Sequence, residues 1–89
     1  MAVVWKYEVA MVGEFARSMP EGSRVLSVQM QNGEPQMWVH VPHPHATTRE
    51  RKFVLVGTGN EFDSSRLSFI GTFQVKGGLF VFHLFEVNP

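Results

Sequence analysis

The chain contains 89 residues, with eight Lys and Arg, eight Asp and Glu, and no Cys, so its formal net charge is zero. A chain this short builds one hydrophobic core, so we expect a single domain over residues 1–89, without disulfides or thiolate metal sites. The neutral balance excludes the basic excess that serves non-specific nucleic-acid binding and anionic membrane surfaces, and no apolar run is long enough to cross a bilayer.

Aromatic side chains are abundant, with eight Phe, two Trp and one Tyr, and such residues favour strands. Apolar side chains occupy every second position from residue 3 to residue 12, which predicts the first strand. Gly13 ends this strand, and the chain continues briefly in extended form over residues 14–18. Residues 20–23, Pro-Glu-Gly-Ser, have the composition of a turn.

The clearest hairpin joins residues 24–31 to residues 36–41 through an Asn32-Gly33-Glu34-Pro35 turn. Pairing Gln31 with Gln36 makes one face wholly apolar, and a slip of one residue would destroy this segregation. The apolar face comprises Leu26, Val28, Met30, Met37, Val39 and Val41. The opposite face comprises Ser27, Gln29, Gln31, Gln36, Trp38 and His40.

The middle of the chain is less regular. Residues 42–48 form a loop, and the basic segment Arg49-Glu50-Arg51-Lys52 leads from it into a short strand over residues 53–56. Gly57-Thr58-Gly59-Asn60 ends that strand. Residues 61–67 are polar, and we expect at most a single helical turn there, begun by Asp63 or Ser64 as the N-cap.

A second hairpin is predicted between residues 68–75 and residues 79–87. The Gly77-Gly78 pair suits a type I′ turn, which sets Lys76 opposite Leu79. One face then pairs Phe73 with Phe82, Val75 with Phe80 and Gly71 with Leu84. The other face sets Ile70, Thr72 and Gln74 against Phe85, His83 and Val81.

These elements predict an all-β fold of about six antiparallel strands, in a small barrel or sandwich-like roll with at most one short helical turn. Several strands are apolar on both faces, and such strands do not lie in a flat sheet with one side in water. The second face is therefore expected to be buried within a curled sheet or against another subunit. The latter alternative predicts a homo-oligomer.

Histidines suggest two kinds of chemistry, each with a simpler alternative. His40, His43 and His45 carry metal-ligating imidazoles, but no Cys or carboxylate completes a tetrahedral set, which favours a solvated His-Pro loop. His83 opposite Thr72 suggests an activated hydroxyl, but no carboxylate is placed to orient the imidazole, which favours a cross-strand hydrogen bond. We therefore predict no enzyme activity, no cofactor and no metal.

A ligand-binding site is predicted from a glycine loop, a group of cations and one aromatic residue. The 57–60 loop offers backbone amides to a phosphate, although a plain strand-ending turn has the same composition. The basic segment either adds charge-assisted contacts or forms a solvated edge. Trp38 either stacks on a ligand or covers a core or subunit interface. The predicted ligand-binding residues are Trp38, His40, Arg49, Arg51, Lys52, Thr58, Asn60 and His83.

Several segments, in order along nearly the whole chain, match a family pattern. They are Trp5-Lys6-Tyr7, Met19-Pro20-x-Gly22, residues 25–33, Trp38, Arg51-Lys52-Phe53, Gly57-Thr58-Gly59, residues 70–74 and residues 82–86. On these segments the chain resembles a family of small uncharacterised proteins of tailed phages and prophages. The Pro-His loop at residues 42–45 departs from the family pattern, in which an acidic Asp-Pro loop is usual.

The resemblance implies an accessory phage protein, of a size class that often counters host defences. We expect a non-catalytic homo-oligomer that sequesters a phosphate-bearing, nucleotide-derived host immune signal. The alternative is a protein-binding inhibitor that masks a host defence protein. No signal-peptide pattern is present, so we expect the host cytoplasm as the location, with no membrane or nucleic-acid partner.

Overall fold

A computed structural model describes residues 1–89, and its seven strands form two antiparallel sheets packed as a sandwich. One sheet has three strands in the order β1-β4-β3, and the other has four in the order β2-β5-β7-β6. The strands are β1 (Val3–Glu8), β2 (Glu14–Pro20), β3 (Arg24–Gln31), β4 (Glu34–Val41), β5 (Thr48–Gly57), β6 (Leu67–Val75) and β7 (Phe80–Val87). The only helical element is a 3₁₀ turn at Lys76–Gly78, so no helix has the length or the apolar character to span a bilayer.

The core lies between the inner faces of the two sheets. Alternate residues of the central strand β4, namely Met37, Val39 and Val41, are fully buried, as the period of two in a strand requires. Phe53 and Leu84 cover them from the four-stranded sheet and are also fully buried. The all-β prediction and its sandwich alternative are therefore confirmed.

The two sheets approach closely where β3 passes β6. A Cβ atom built on Gly71 would lie 2.7 Å from Cγ1 of Val28, well inside van der Waals contact. Val28 is itself buried, so its side chain has little room to move. The absence of a side chain at Gly71 therefore sets the spacing between the sheets at this corner.

The first hairpin has a tighter turn than the sequence predicts. Asn32 and Gly33 take positive φ values of 51° and 80°, which a type I′ turn requires, and Gln31 pairs with Glu34. The predicted register of Gln31 with Gln36 is therefore wrong by two residues. Because side chains alternate with a period of two, this shift leaves the inner and outer faces unchanged.

A β-bulge alters the far end of the same hairpin. The register shifts between Val25 and Ser27, so Val25 pairs with Val39 and packs against the core. Leu26 is turned outward and is 46% exposed, contrary to its predicted place on the apolar face.

The seventh strand, β2, arises where the sequence predicts only a brief extended segment. It pairs with β5, which begins at Thr48 and so includes the basic segment that was expected to precede a strand at residues 53–56. Phe15 stacks on Phe53 with ring centroids 5.3 Å apart. Arg17 faces Arg51 across this pair, and these two charged residues on the inner face hide the apolar alternation that marks a strand.

The second hairpin has the predicted register, with Phe73 opposite Phe82 and Thr72 opposite His83. Gly77 and Gly78 have φ values of 67° and 93°, and the Leu79 N–H donates to the Lys76 carbonyl at 3.3 Å, as in a type I′ turn. A second bulge interrupts the ladder between Phe69 and Gly71, so Phe69 rather than Ile70 pairs with Phe85.

No helical turn forms at residues 61–67. Instead, the Asp63 carboxylate accepts hydrogen bonds from the backbone N–H of Ser65, at 2.9 Å, and from its hydroxyl, at 2.7 Å. These bonds lower the pKa of Asp63, since they favour its ionised form. The segment is a local Asx turn rather than an N-capped helix.

Candidate functional site

A cavity of about 540 Å³ opens at one end of the sandwich. It is formed by the turn between β2 and β3, the start of β5, the start of β6 and the end of β7. Four cationic and three acidic side chains border it, and only two of its lining residues are hydrophobic. The charged side chains are Arg49, Arg51, Lys52, Arg66, Glu21, Glu50 and Glu86.

A salt bridge between Arg51 and Glu86 forms one wall of the cavity. The guanidinium contacts both carboxylate oxygens, with Nη2 at 2.8 Å from Oε1, and its Nη1 donates to the Ser23 carbonyl at 2.6 Å. The side chains are 24% and 20% exposed. The hydrogen bond to Glu86 raises the pKa of Arg51, against the opposing effect of burial, so the group stays charged. Arg51 therefore joins β5, β7 and the start of β3, and its donors are largely engaged.

The remaining cations of the cavity form weak ion pairs or none. Arg49 lies 3.6 Å from Glu21, and both side chains are well exposed, so this pair holds the guanidinium only weakly. Lys52 and Arg66 form no ion pair. Three positive charges are thus available to an anion that enters the cavity.

Trp38 and His40 lie elsewhere, on the outer face of the three-stranded sheet. Their neighbours along β4, Met37 and Val39, are fully buried on the inner face, so these two side chains point away from the core. Trp38 is half-buried, and the Lys6 ammonium lies 6.0 Å from its ring centroid. Within one copy of the chain, the structure does not bring Trp38 together with Arg49, Arg51 and Lys52.

Thr58 and His83 lie together on the outer face of the four-stranded sheet. Nε2 of His83 is 2.7 Å from the Thr58 hydroxyl, and Nδ1 is 2.9 Å from the hydroxyl of Thr72. Both ring nitrogens are therefore engaged, and the expected cross-strand hydrogen bond to Thr72 is present. No carboxylate forms a hydrogen bond or ion pair with this imidazole.

The 57–60 loop has few free backbone donors for a phosphate. The N–H of Thr58 donates to the Val81 carbonyl and that of Asn60 to the Gly57 carbonyl, each at 3.1 Å. Neither Thr58 nor Asn60 lines the cavity at the end of the sandwich. The eight predicted site residues thus fall into three places, and only Arg49, Arg51 and Lys52 border this cavity.

His43 and His45 are exposed in the loop between β4 and β5. Nowhere does the structure bring three His, Asp or Glu side chains into an arrangement that could hold a metal ion. The loop folds as a turn, in which the Ala46 N–H donates to the His43 carbonyl at 3.0 Å.

Two features escaped the sequence analysis. Arg66 and Glu86 border the cavity but were not predicted as site residues, since only the fold brings them beside the basic segment. An aromatic cluster also forms on the outer face of the four-stranded sheet, where the ring of Phe85 lies 5.3 Å from that of Phe62 and 5.6 Å from that of Phe69. Phe62 and Phe69 remain 45% and 61% exposed. The high Phe content is the one sequence signal that points to such a surface.

Comparison with known proteins places the whole chain in one family. A family model described as a domain of unknown function, DUF7352, matches residues 1–89, and the chain belongs to this family. No curated protein matches the chain, and no solved structure does.

Proposed function

We propose that this member of the DUF7352 family is a non-catalytic binding protein whose cavity takes a small phosphate-bearing ligand of the nucleotide type. One observation supports the proposal: Arg49, Lys52 and Arg66 border a single cavity, and no strong ion pair neutralises them. A phosphate brings the negative charge and the acceptor oxygens that such a group of donors lacks.

The dimensions of the cavity are compatible with such a ligand. Pockets for small molecules measure roughly 300–1,000 Å³, and this one measures about 540 Å³. The bridge between Arg51 and Glu86 ties β5 to β7, and the bond from Arg51 to Ser23 adds the residue before β3, so the backbone of the cavity wall is in place before a ligand arrives. Preorganisation of this kind reduces the entropy that binding costs.

In biological terms, we propose a phage accessory protein that acts in the host cytoplasm. It sequesters a nucleotide-derived immune signal without altering it chemically, and it works as a homo-oligomer. The resemblance to small phage proteins supports this setting, and the weakly paired cations Arg49, Lys52 and Arg66 of the cavity support the class of ligand. In an oligomer, any contact from Trp38 to the ligand comes from a neighbouring copy, because Trp38 lies on the other sheet.

Isothermal titration calorimetry tests the ligand class. The panel comprises inorganic phosphate, ADP-ribose and cyclic mono- and dinucleotides, each at two salt concentrations. Lys52→Gln and Arg66→Asn each remove one charge, and Asn tolerates the positive φ of 63° at position 66. We expect each variant to bind about tenfold or more weakly, as the loss of a charged hydrogen bond predicts.

Lys76→Gln is the matched control, since this exposed lysine lies in the β6–β7 turn and does not line the cavity. It should bind as the unmodified chain does. The proposal is refuted if no ligand of the panel binds, or if the control loses as much affinity as the cavity variants.

The aromatic cluster supports a second candidate function, a protein-binding inhibitor. Exposed, clustered aromatic rings are the usual anchors of protein interfaces, and Phe62 and Phe69 are both accessible. A pull-down from host lysate tests it with Phe69→Ser and Trp38→Ala, and with Lys52→Gln as the control. A stoichiometric partner that is lost with either aromatic variant and kept with the control favours inhibition over ligand sequestration.

A further inference from the structure

The edge of β1 that faces away from β4 has no neighbouring strand. We propose that this edge pairs with the same edge of a second copy, in a two-fold antiparallel arrangement centred on Val4. The two three-stranded sheets then become one continuous six-stranded sheet. The inference is independent of the ligand proposed for the cavity.

Backbone geometry shows which groups are free at this edge. The N–H of Val9 donates to the carbonyl of Pro35 at 3.1 Å. By the register of β1 with β4, the odd-numbered residues of β1 likewise direct their N–H and C=O groups toward β4. In an antiparallel ladder the intervening residues direct their N–H and C=O groups to the opposite side. Val4, Lys6 and Glu8 therefore present these groups at the free edge.

A second contact confirms that these even-numbered residues direct their backbone groups away from β4. The Glu8 carbonyl accepts a hydrogen bond of 3.0 Å from Nε of Arg17, a residue of β2 and not of β4. The carbonyl must therefore point away from β4. Arg17 also occupies the position that a further strand would need at Glu8, so the part of the edge open to pairing ends near Lys6.

The open part of β1 has little of the protection that edge strands usually carry, since Lys6 is its only charged residue and it contains no proline or bulge. Exposed edges generally carry charges, prolines or bulges, and the edge strand β2 has Glu14, Arg17 and Pro20. In β1, by contrast, Val3, Val4 and Trp5 are 37%, 58% and 39% exposed. Val3 and Trp5 are cross-strand neighbours of the fully buried Val41 and Val39, so they expose apolar surface on the core side of the sheet. A second copy of the strand covers this surface.

Charge and backbone phase together select one register. A pair centred on Lys6 would set two ammonium groups opposite each other, which is unfavourable. A pair centred on Trp5 would bring Ala2 opposite Glu8, whose carbonyl is already bonded to Arg17. A pair centred on Val3 aligns fewer of the free backbone groups.

Centring on Val4 avoids these conflicts. Val4 then faces its own copy, Val3 faces Trp5 of the second copy, and Ala2 faces Lys6 of the second copy. The residues with outward backbone groups oppose each other, as an antiparallel ladder requires.

Sedimentation analysis over a wide concentration range tests the pairing. We expect a dimer of about twice 10.1 kDa, and a strict monomer at all concentrations overturns the proposal. Val4→Lys and Val4→Glu each place like charges on the two-fold axis, so each variant alone should dimerise roughly tenfold or more weakly. An equimolar mixture of the two should associate again, because the axis then joins opposite charges.

Leu26→Lys, at an exposed residue of β3, is the control for added charge and should dimerise normally. Retention of the dimer in both Val4 variants, or equal loss in the control, contradicts the proposal.

The register is tested separately by cross-linking, since the chain has no other thiol. Val4→Cys should form a disulfide-linked dimer on oxidation, because directly opposed Cα atoms lie about 5.5 Å apart, within disulfide reach. Lys6→Cys should not, because its two copies are far apart along the ladder. The opposite pattern overturns the register. Lys52→Gln should dimerise normally, which separates a failure of the dimer from a failure of ligand binding.

Discussion

The contact between Gly71 and Val28 predicts that Gly71→Ala destabilises the fold. A Cβ atom at position 71 would lie 2.7 Å from Cγ1 of Val28, so one of the two sheets must shift or the Val28 side chain must rotate. The backbone at Gly71 does not have a positive φ, so the substitution carries no conformational penalty of its own. The whole effect therefore arises from overpacking between β6 and β3.

The size of the effect follows from the burial of Val28. The side chain is only 5% exposed and is branched at Cβ, so rotation is restricted on both counts. Inserting one methyl group into a filled site costs about 1–3 kcal/mol. Val28→Ala alone removes two buried methyl groups and should cost ~2 kcal/mol. In the double variant, the new methyl group at position 71 enters the space that Val28 vacates, so we expect the double loss to fall short of the sum by about 1–2 kcal/mol.

Urea denaturation, followed by tryptophan fluorescence, measures the three free energies of unfolding. Gly13→Ala is the matched control, because nothing lies within 4 Å of a Cβ atom there and φ is not positive. It should be neutral or slightly stabilising. An undiminished stability in Gly71→Ala, or strict additivity in the double variant, would refute the reasoning.

Three further predictions concern the salt bridge, the single tyrosine and the first turn. Arg51→Met leaves the Glu86 carboxylate partly buried and unpaired, so we expect the free energy of unfolding to fall by about 2 kcal/mol. In a urea double-mutant cycle, adding Glu86→Gln should recover part of this loss, and additive effects of the two substitutions would contradict the coupling. Burial raises the pKa of Tyr7 above its ordinary value of 10.0, and the charge of Arg51 partly offsets this rise. The stability that the neutral tyrosine contributes is therefore complete below pH 10, and it is lost as the pH rises through the higher pKa of the folded state. Tyr7 is the only tyrosine, so its ultraviolet absorbance titration reads this group alone; the folded chain should titrate above the denatured chain, and Tyr7→Phe should remove this part of the alkaline loss. Gly33→Ala forces a methyl group onto a φ of 80° and should lower stability by about 1 kcal/mol in the same urea assay, and a neutral result would contradict the type I′ turn.

The hairpins show what local sequence determines. The Gly77-Gly78 pair has one favourable use, a two-residue type I′ turn, and it fixes the register of β6 with β7 correctly at Phe73 and Phe82. In the first hairpin, the sequence predicts Pro35 within the turn, and proline is indeed rare within central strands. Pro35 nevertheless lies in β4, opposite Val9, where β1 has already ended, so its missing N–H interrupts no part of the β1–β4 pairing.

The bulges and the cavity depend on contacts that no local pattern reveals. Arg51 was predicted to contact a ligand, but its carboxylate partner Glu86 is 35 residues further along the chain. Arg66 joins the same cavity from a polar segment without any motif. The sequence thus identifies Arg49, which is only weakly paired, and Lys52, which forms no ion pair, whereas the partners that shape the cavity emerge only when β5, β6 and β7 come together.

The position of β7 has a consequence for folding during synthesis. β7 lies between β5 and β6 and supplies Glu86, yet the ribosome makes it after every other strand. Until residues 80–87 have left the exit tunnel, β5 and β6 have no shared neighbour, and Arg51 has no carboxylate. The three-stranded sheet can pair much earlier, since β4 ends at Val41. We therefore expect the nascent chain to acquire its protease resistance only once residues 80–87 have left the exit tunnel, rather than progressively as the earlier strands emerge.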